Sequence, residues 1–170
     1  MSNRSLLFLI LFVLMIFFVV KFDMTTQVKI GVTNLIYGNE IRGLKGMRLV
    51  VEPLIPELEK DGLRREEVLK ELAAKVERSG IKILPEEEWR RTPEKPVLNA
   101  TIQAVKLDKQ KYQYTVEIEV TRNKTGGSIS ESEKTKTIWS TSEIGEGNVN
   151  DIRKTFDEIT SVFLKARSGS

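Results

Sequence analysis

A chain of 170 residues, 40% of them hydrophobic, is long enough for one domain with a sizeable core plus a short extra segment, and too short for two ordinary domains. Its formal charge of +3 carries no nucleic-acid signal: without residues 1–21, which hold Arg4 and Lys21 and no acid, 25 basic residues face 24 acidic ones. The absence of cysteine excludes a disulfide framework, a thiolate metal site and a thiol nucleophile, and the absence of histidine removes the commonest metal ligand and proton carrier. Both absences point away from an enzyme, and neither a cofactor nor a metal is expected.

Leu6 to Val20 is an unbroken apolar run preceded by Arg4. Fifteen helical residues reach about 22 Å, a length that suits a signal peptide and spans a bilayer if Lys21 snorkels and Ser5 and Phe22 extend the helix. Val19 to Met24 offer none of the small residues of a cleavage site, so residues 1–22 are expected to be an uncleaved anchor, with a cleaved signal and secretion as the alternative. Arg4 and the amino terminus favour a cytoplasmic N-terminus, because Lys21 is offset by Asp23. The rest of the chain then lies on the outer side of the inner membrane. Residues 23–46 read as a tether. Gln27 to Val32 is compatible with a short strand, but Asn34, Gly38, Asn39, Gly43 and Gly46 punctuate the residues beyond it.

The domain is expected over residues 47–167, with 168–170 as a tail. Met47 to Glu52 is a first strand ended by Pro53 and Pro56. Arg65 to Ser79 forms an amphipathic helix with Val68, Leu69, Leu72, Ala73 and Val76 on one stripe, stopped by Gly80. Ile81 to Leu84 is a short strand one helix after the first, as a βαβ crossover requires. Pro85 to Trp89 is a helical turn, and Pro93 to Pro96 a stiff link.

The strongest signal lies between residues 97 and 121. Leu98, Ala100, Ile102 and Ala104 alternate with Asn99, Thr101 and Gln103, and Tyr112, Tyr114, Val116, Ile118 and Val120 alternate with Gln113, Thr115, Glu117, Glu119 and Thr121. The polar run Asp108 to Lys111 separates the two, giving a hairpin with one dry and one wet face. After a polar loop over Asn123 to Glu133, Lys136 to Thr141 is a strand, and Gly145 and Gly147 mark the turn out of it. Helix Asn150 to Ala166 buries Ile152, Phe156, Ile159, Val162 and Phe163, capped by Asn148 or Asn150. The fold class is α+β: a two-layer sandwich, mainly antiparallel sheet, with two amphipathic helices on one face.

No motif carries catalytic chemistry. Glu86, Glu87 and Glu88 are consecutive and diverge into solvent. Ser140, Thr141 and Ser142 beside Trp139 lack a histidine base, a G-x-S-x-G elbow and an S-x-x-K spacing. G-E-G over 145–147 lacks the lysine of a phosphate loop. Asn3, Asn99 and Asn123 sit in glycosylation triplets, with Asn99 inside a strand. The candidate partner-binding residues are Gln103, Thr115 and Glu117 on the hairpin's wet face and Trp89, Arg90 and Arg91, an aromatic with basic flanks. The competing reading gives the wet face to water and Trp89 to the edge of the core.

The succession GLRREEVLKELAAKVERSGIKILPEEEW, then PVLNATI, YQYTVEIEV and TIWST, resembles a group of exported bacterial proteins of uncharacterised function. The resemblance covers about residues 47–165. It implies export and a small α+β domain, and brings no activity, catalytic residue or cofactor. This chain departs from the pattern at Arg64, where a threonine cap is usual, and in an N-terminal run that lacks a clean cleavage site. More distantly the layout looks like small α/β modules of envelope assembly proteins. The expected function is a membrane-anchored, non-catalytic interaction module of the bacterial envelope, with an envelope protein as partner and no nucleic acid. The alternatives are an accessory binding a lipid or small apolar ligand between sheet and helices, and a carboxylate-based hydrolase.

Overall fold

The computed structural model describes residues 40–123 and 135–169. The expected anchor, most of the tether and the loop from residue 124 to 134 lie outside the described residues. Among the described residues no helix is long and apolar enough to cross a membrane. In chain order the elements are β1 (Gly46–Val51), α1 (Pro56–Lys60), α2 (Arg65–Arg78), β2 (Lys82–Ile83), α3 (Glu86–Arg91), β3 (Val97–Asp108), β4 (Lys111–Asn123), β5 (Thr135–Gly147) and α4 (Val149–Ser168). The fold is α+β.

The strands form one mixed sheet in the order β2-β1-β3-β4-β5. β1 pairs in parallel with both β2 and β3, so the α2 crossover places β1 inside the sheet; β3–β4 and β4–β5 are antiparallel. The hairpin alternation is realised as expected. Leu98 pairs with Val120, Ala100 with Ile118, Ile102 with Val116 and Ala104 with Tyr114, which sets one continuous apolar face.

That face is covered by two helices lying side by side. α2 buries Val68, Leu72 and Val76 and packs over β1 and β2; α4 buries Ile152, Phe156, Ile159 and Phe163 and packs over β4 and β5. Each large apolar side chain so buried contributes roughly 1.5–3 kcal/mol, and Trp139 of β5 meets the Phe163 ring edge-on at 5.2 Å. Arg153 of α4 reaches Glu67 at 2.7 Å and Glu71 at 3.2 Å on α2, and Lys75 reaches Asp157 at 2.5 Å. Exposed pairs of this kind contribute about 0–1 kcal/mol each, so they register the two helices more than they hold them.

The local signals at the helix ends are met unequally. Gly80 adopts φ 82°, the Ile81 N–H returns to the Val76 carbonyl, and Ile81 is buried over the last turn of α2. Asn148 caps α4, accepting from the N–H groups of Asn150 and Asp151, while Asp151 accepts from the Asn148 N–H at 2.8 Å. Arg64 gives α2 no side-chain cap. In the link before β3, Glu94 and Lys95 both take positive φ, and the Glu94 carboxylate and carbonyl are held by Arg122 and the Asn123 N–H.

Val162, expected on the buried stripe of α4, is 40% exposed, and three further expectations need correction. Gly145 and Gly147 do not mark a turn: β5 runs through them to Gly147. A Cβ on Gly145 would lie 2.6 Å from the Tyr114 hydroxyl and one on Gly147 2.4 Å from the Asp151 carboxylate, so glycine is required by close approach inside the strand. Second, Pro56 starts the short helix α1 besides ending a strand segment, using its fixed φ at the first helical position. Third, residues 40–45 are not loose tether. Ile41 is fully buried, and Glu40 accepts from Lys136 and Arg122.

Candidate functional site

The side chains that point away from the helices form rows across three strands. Asn99, Glu119 and Ser140 make one row; Thr101, Glu117 and Ser142 the next; then Gln103, Thr115 and Ile144; then Val105, Gln113 and Glu146. None of the described helices covers this middle and far part of the sheet. Two of the sequence-predicted residues, Gln103 and Thr115, are direct cross-strand neighbours, and Glu117 stands one row away, about 7 Å along the strand.

Glu117 lies between Thr101 and Ser142 on the open face. Desolvation by its neighbours is the main cause that raises its carboxyl above the usual range, and repulsion from Glu119 adds to it. Glu119 is satisfied by the Thr137 hydroxyl. Among the described residues no salt bridge reaches Glu117. The rim near the β3–β4 turn is apolar: Val105 is 64% exposed and Leu107 49%. The bulge between Lys106 and Asp108 sets Leu107 outside the pairing. Thr141 is turned into the core while Ser140 and Ser142 lie on the open face, so the three hydroxyls do not converge.

Trp89, Arg90 and Arg91 lie on α3 at another part of the molecule. The guanidinium of Arg48 sits 5.0 Å from the centre of the Trp89 ring, and the indole N–H donates to the Pro96 carbonyl at 3.1 Å. Glu86 bridges Arg48 and Arg90, at 2.9 Å from each. Trp89 is half-buried and stands outside the main apolar core, clamped to the start of β3 rather than closing the core's edge. Arg48 pairs with Val97, two rows from Glu117, so Trp89 and Glu117 are separated by about 13 Å along the strands alone. The structure therefore unites Gln103, Thr115 and Glu117 and leaves Trp89, Arg90 and Arg91 as a separate group. Glu88 is paired with Lys82 at 2.6 Å, in keeping with a solvated acidic turn.

A second constellation escaped the sequence because its members lie on three elements. Asp61, just after α1, accepts from the Tyr112 hydroxyl at 2.5 Å and from Lys106 Nζ at 2.7 Å, and Lys106 lies 5.3 Å from the Tyr112 ring centre. Asp61 and Tyr112 border a polar cleft of about 460 Å³ that Gln110, Asn148, Asn150 and Arg153 also line. The Lys106 and Tyr112 hydrogen bonds hold the Asp61 carboxyl below the carboxylate range, the Asp61 hydrogen bond raises Lys106, and burial, then Asp61, raises Tyr112. Each shift fixes the group more firmly in its neutral-pH state, the opposite of what a proton carrier needs. Arg153 is already engaged by Glu67, Glu71 and the Gly62 carbonyl. The group ties the hairpin to α1. Its polarity does not suit an apolar ligand beneath Tyr112, and Tyr114 is engaged by the Thr155 hydroxyl at 3.0 Å. Among the described residues no cluster of three potential metal ligands exists.

No protein-family profile matches the chain, and no curated protein matches it at a significant level.

Proposed function

We propose that this protein is a non-catalytic interaction module held at the outer side of the inner membrane by Leu6 to Val20, and that the open sheet face around Gln103, Thr115 and Glu117 docks an envelope protein. The observation that supports this most is the desolvated Glu117 beside Glu119, with no salt bridge reaching it among the described residues. A carboxylate that burial penalises gains most from an incoming cation, so the partner surface that fits is one presenting Lys or Arg among hydrogen-bond donors. The apolar rim of Val105 and Leu107 supplies area beside the charged centre. The anchor and the compartment rest on the N-terminal sequence and on the resemblance to exported proteins.

The test is site-specific photocrosslinking in native membranes. A crosslinker at Gln103 or Gln113 on the open face is expected to give a discrete protein adduct. The same group at Lys70 on α2 or Lys154 on α4, both exposed, is expected to give none. Equal adducts from the helix side, or none from the open face, would contradict the reading.

A further inference from the structure

The cleft beside Asp61 lies on the helical side of the sheet, away from the open face. Its volume of about 460 Å³ falls within the roughly 300–1,000 Å³ of ordinary small-molecule sites. Three parts of the fold build it: Asp61 after α1, Gln110 in the β3–β4 turn, and Asn150 with Arg153 at the start of α4. Their chemistry excludes most classes of ligand in turn.

The two charges are already matched. Asp61 is bonded to Lys106 at 2.7 Å, and Arg153 to Glu67 at 2.7 Å and Glu71 at 3.2 Å. An anion would stand beside the Asp61 carboxylate and a cation beside the Arg153 guanidinium, so neither gains a net attraction. The end of α4 adds none for an anion, because the Asn148 side chain already accepts from the N–H groups of Asn150 and Asp151. Val149 is the only aliphatic side chain of the lining, too little for an apolar ligand or for the side chains of a peptide. The Tyr112 ring is fully buried with Lys106 Nζ 5.3 Å from its centre, which leaves no face on which a nucleobase can stack.

What remains is unspent hydrogen-bonding capacity. Both bonds to the Asp61 carboxylate fall on Oδ2, so among the described residues Oδ1 keeps its acceptor sites. The bonds of Arg153 run from Nη1 and Nη2 and leave its Nε–H. The side-chain amides of Gln110 and Asn150 are exposed and make no hydrogen bond among the described residues, and each offers an acceptor and two donors. A hydroxyl both donates and accepts, so neighbouring hydroxyls on one ring satisfy a carboxylate oxygen and an amide together.

We propose that the cleft between Asp61, Gln110, Asn150 and Arg153 binds an uncharged saccharide through its hydroxyl groups. The site is separate from Gln103, Thr115 and Glu117, so a sugar and a partner on the open face do not compete.

The test is a titration of the isotope-labelled full-length chain in phosphatidylcholine nanodiscs, which carry no sugar, followed by NMR of the side-chain amides. The probes are glucose, galactose, mannose and N-acetylglucosamine, with a longer chain of each, and glucuronate, glucose 6-phosphate and trialanine for comparison. At least one neutral sugar is expected to shift the Gln110 and Asn150 amides saturably, with a Kd of about 1 mM or tighter. Gln110→Ala and Asn150→Ala are each expected to weaken it about fivefold, the worth of one hydrogen bond, and Lys70→Ala on α2 to leave it unchanged. Tighter binding of the longer chain identifies a glycan as the source, and equal binding a free sugar. No saturable shift with any neutral sugar up to about 20 mM overturns the proposal, as does binding that Gln110→Ala and Asn150→Ala leave intact. Binding of glucuronate, glucose 6-phosphate or trialanine more tightly than every neutral sugar also overturns it.

Discussion

The Tyr112 hydroxyl donates to the Asp61 carboxylate at 2.5 Å across 51 positions of sequence. It is the bond that fastens the far end of the hairpin to the helical layer, because Tyr112 opens β4 and Asp61 follows α1. Tyr112→Phe keeps the ring packing and removes only this link. It is expected to lower stability by about 1 kcal/mol in urea unfolding, the ordinary value of a buried hydrogen bond.

The same pair predicts a pH dependence. Asp61 has a folded-state pKa below its unfolded one, chiefly through the Lys106 hydrogen bond and next through Tyr112. Its contribution is present above the unfolded carboxylate range and is lost as pH falls through the folded value. Asp61→Asn should therefore unfold more easily than the parent at neutral pH, and the two unfolding curves should converge in acid. A constant gap at all pH values would assign the loss to packing.

Glu117 has the opposite sign. Its folded pKa is raised, so its ionised form is disfavoured in the folded chain; the penalty is absent below the unfolded pKa and grows as pH rises through the folded one. Glu117→Gln should raise the thermal midpoint at pH 8 and lose that advantage in acid. Gln103→Ala and Thr115→Ala, on the same face, should leave thermal unfolding within about 0.5 kcal/mol of the parent while weakening partner capture.

Gly145→Ala places a methyl 2.6 Å from the Tyr114 hydroxyl, between β5 and a buried ring bonded to α4. Overpacking of this kind costs about 1–3 kcal/mol. Arg64→Thr works in the other direction. The first turn of α2 has no side-chain cap, and a threonine there is expected to add about 1 kcal/mol. Both are read by chemical unfolding.

The hairpin, the two helical stripes and the Gly80 stop were legible in the sequence because each rests on local periodicity or local backbone chemistry. The register that sets Gln103 opposite Thr115 extends the same alternation. Gly145 and Gly147 misled because glycine near a strand's end reads as a turn unless the partner ring and carboxylate are known, and those come from Tyr114 and Asp151 on other elements. Asp61, Lys106 and Tyr112 were invisible for the same reason: their chemistry arises only when α1 meets the hairpin. Trp89 is held by the Arg48 guanidinium and the Pro96 carbonyl, partners that spacing along α3 does not reveal.

The central claim is that the open face docks a cationic partner surface at Glu117. It is tested most directly by charge reversal in the crosslinking experiment, with Glu117→Lys combined with a crosslinker at Gln103 in native membranes. The account predicts a fall in adduct of at least tenfold, corresponding to about 1.4 kcal/mol, while the Lys70→Glu control on α2 retains it. An adduct that survives Glu117→Lys at full yield, in a variant that unfolds at the parent's temperature, would contradict it.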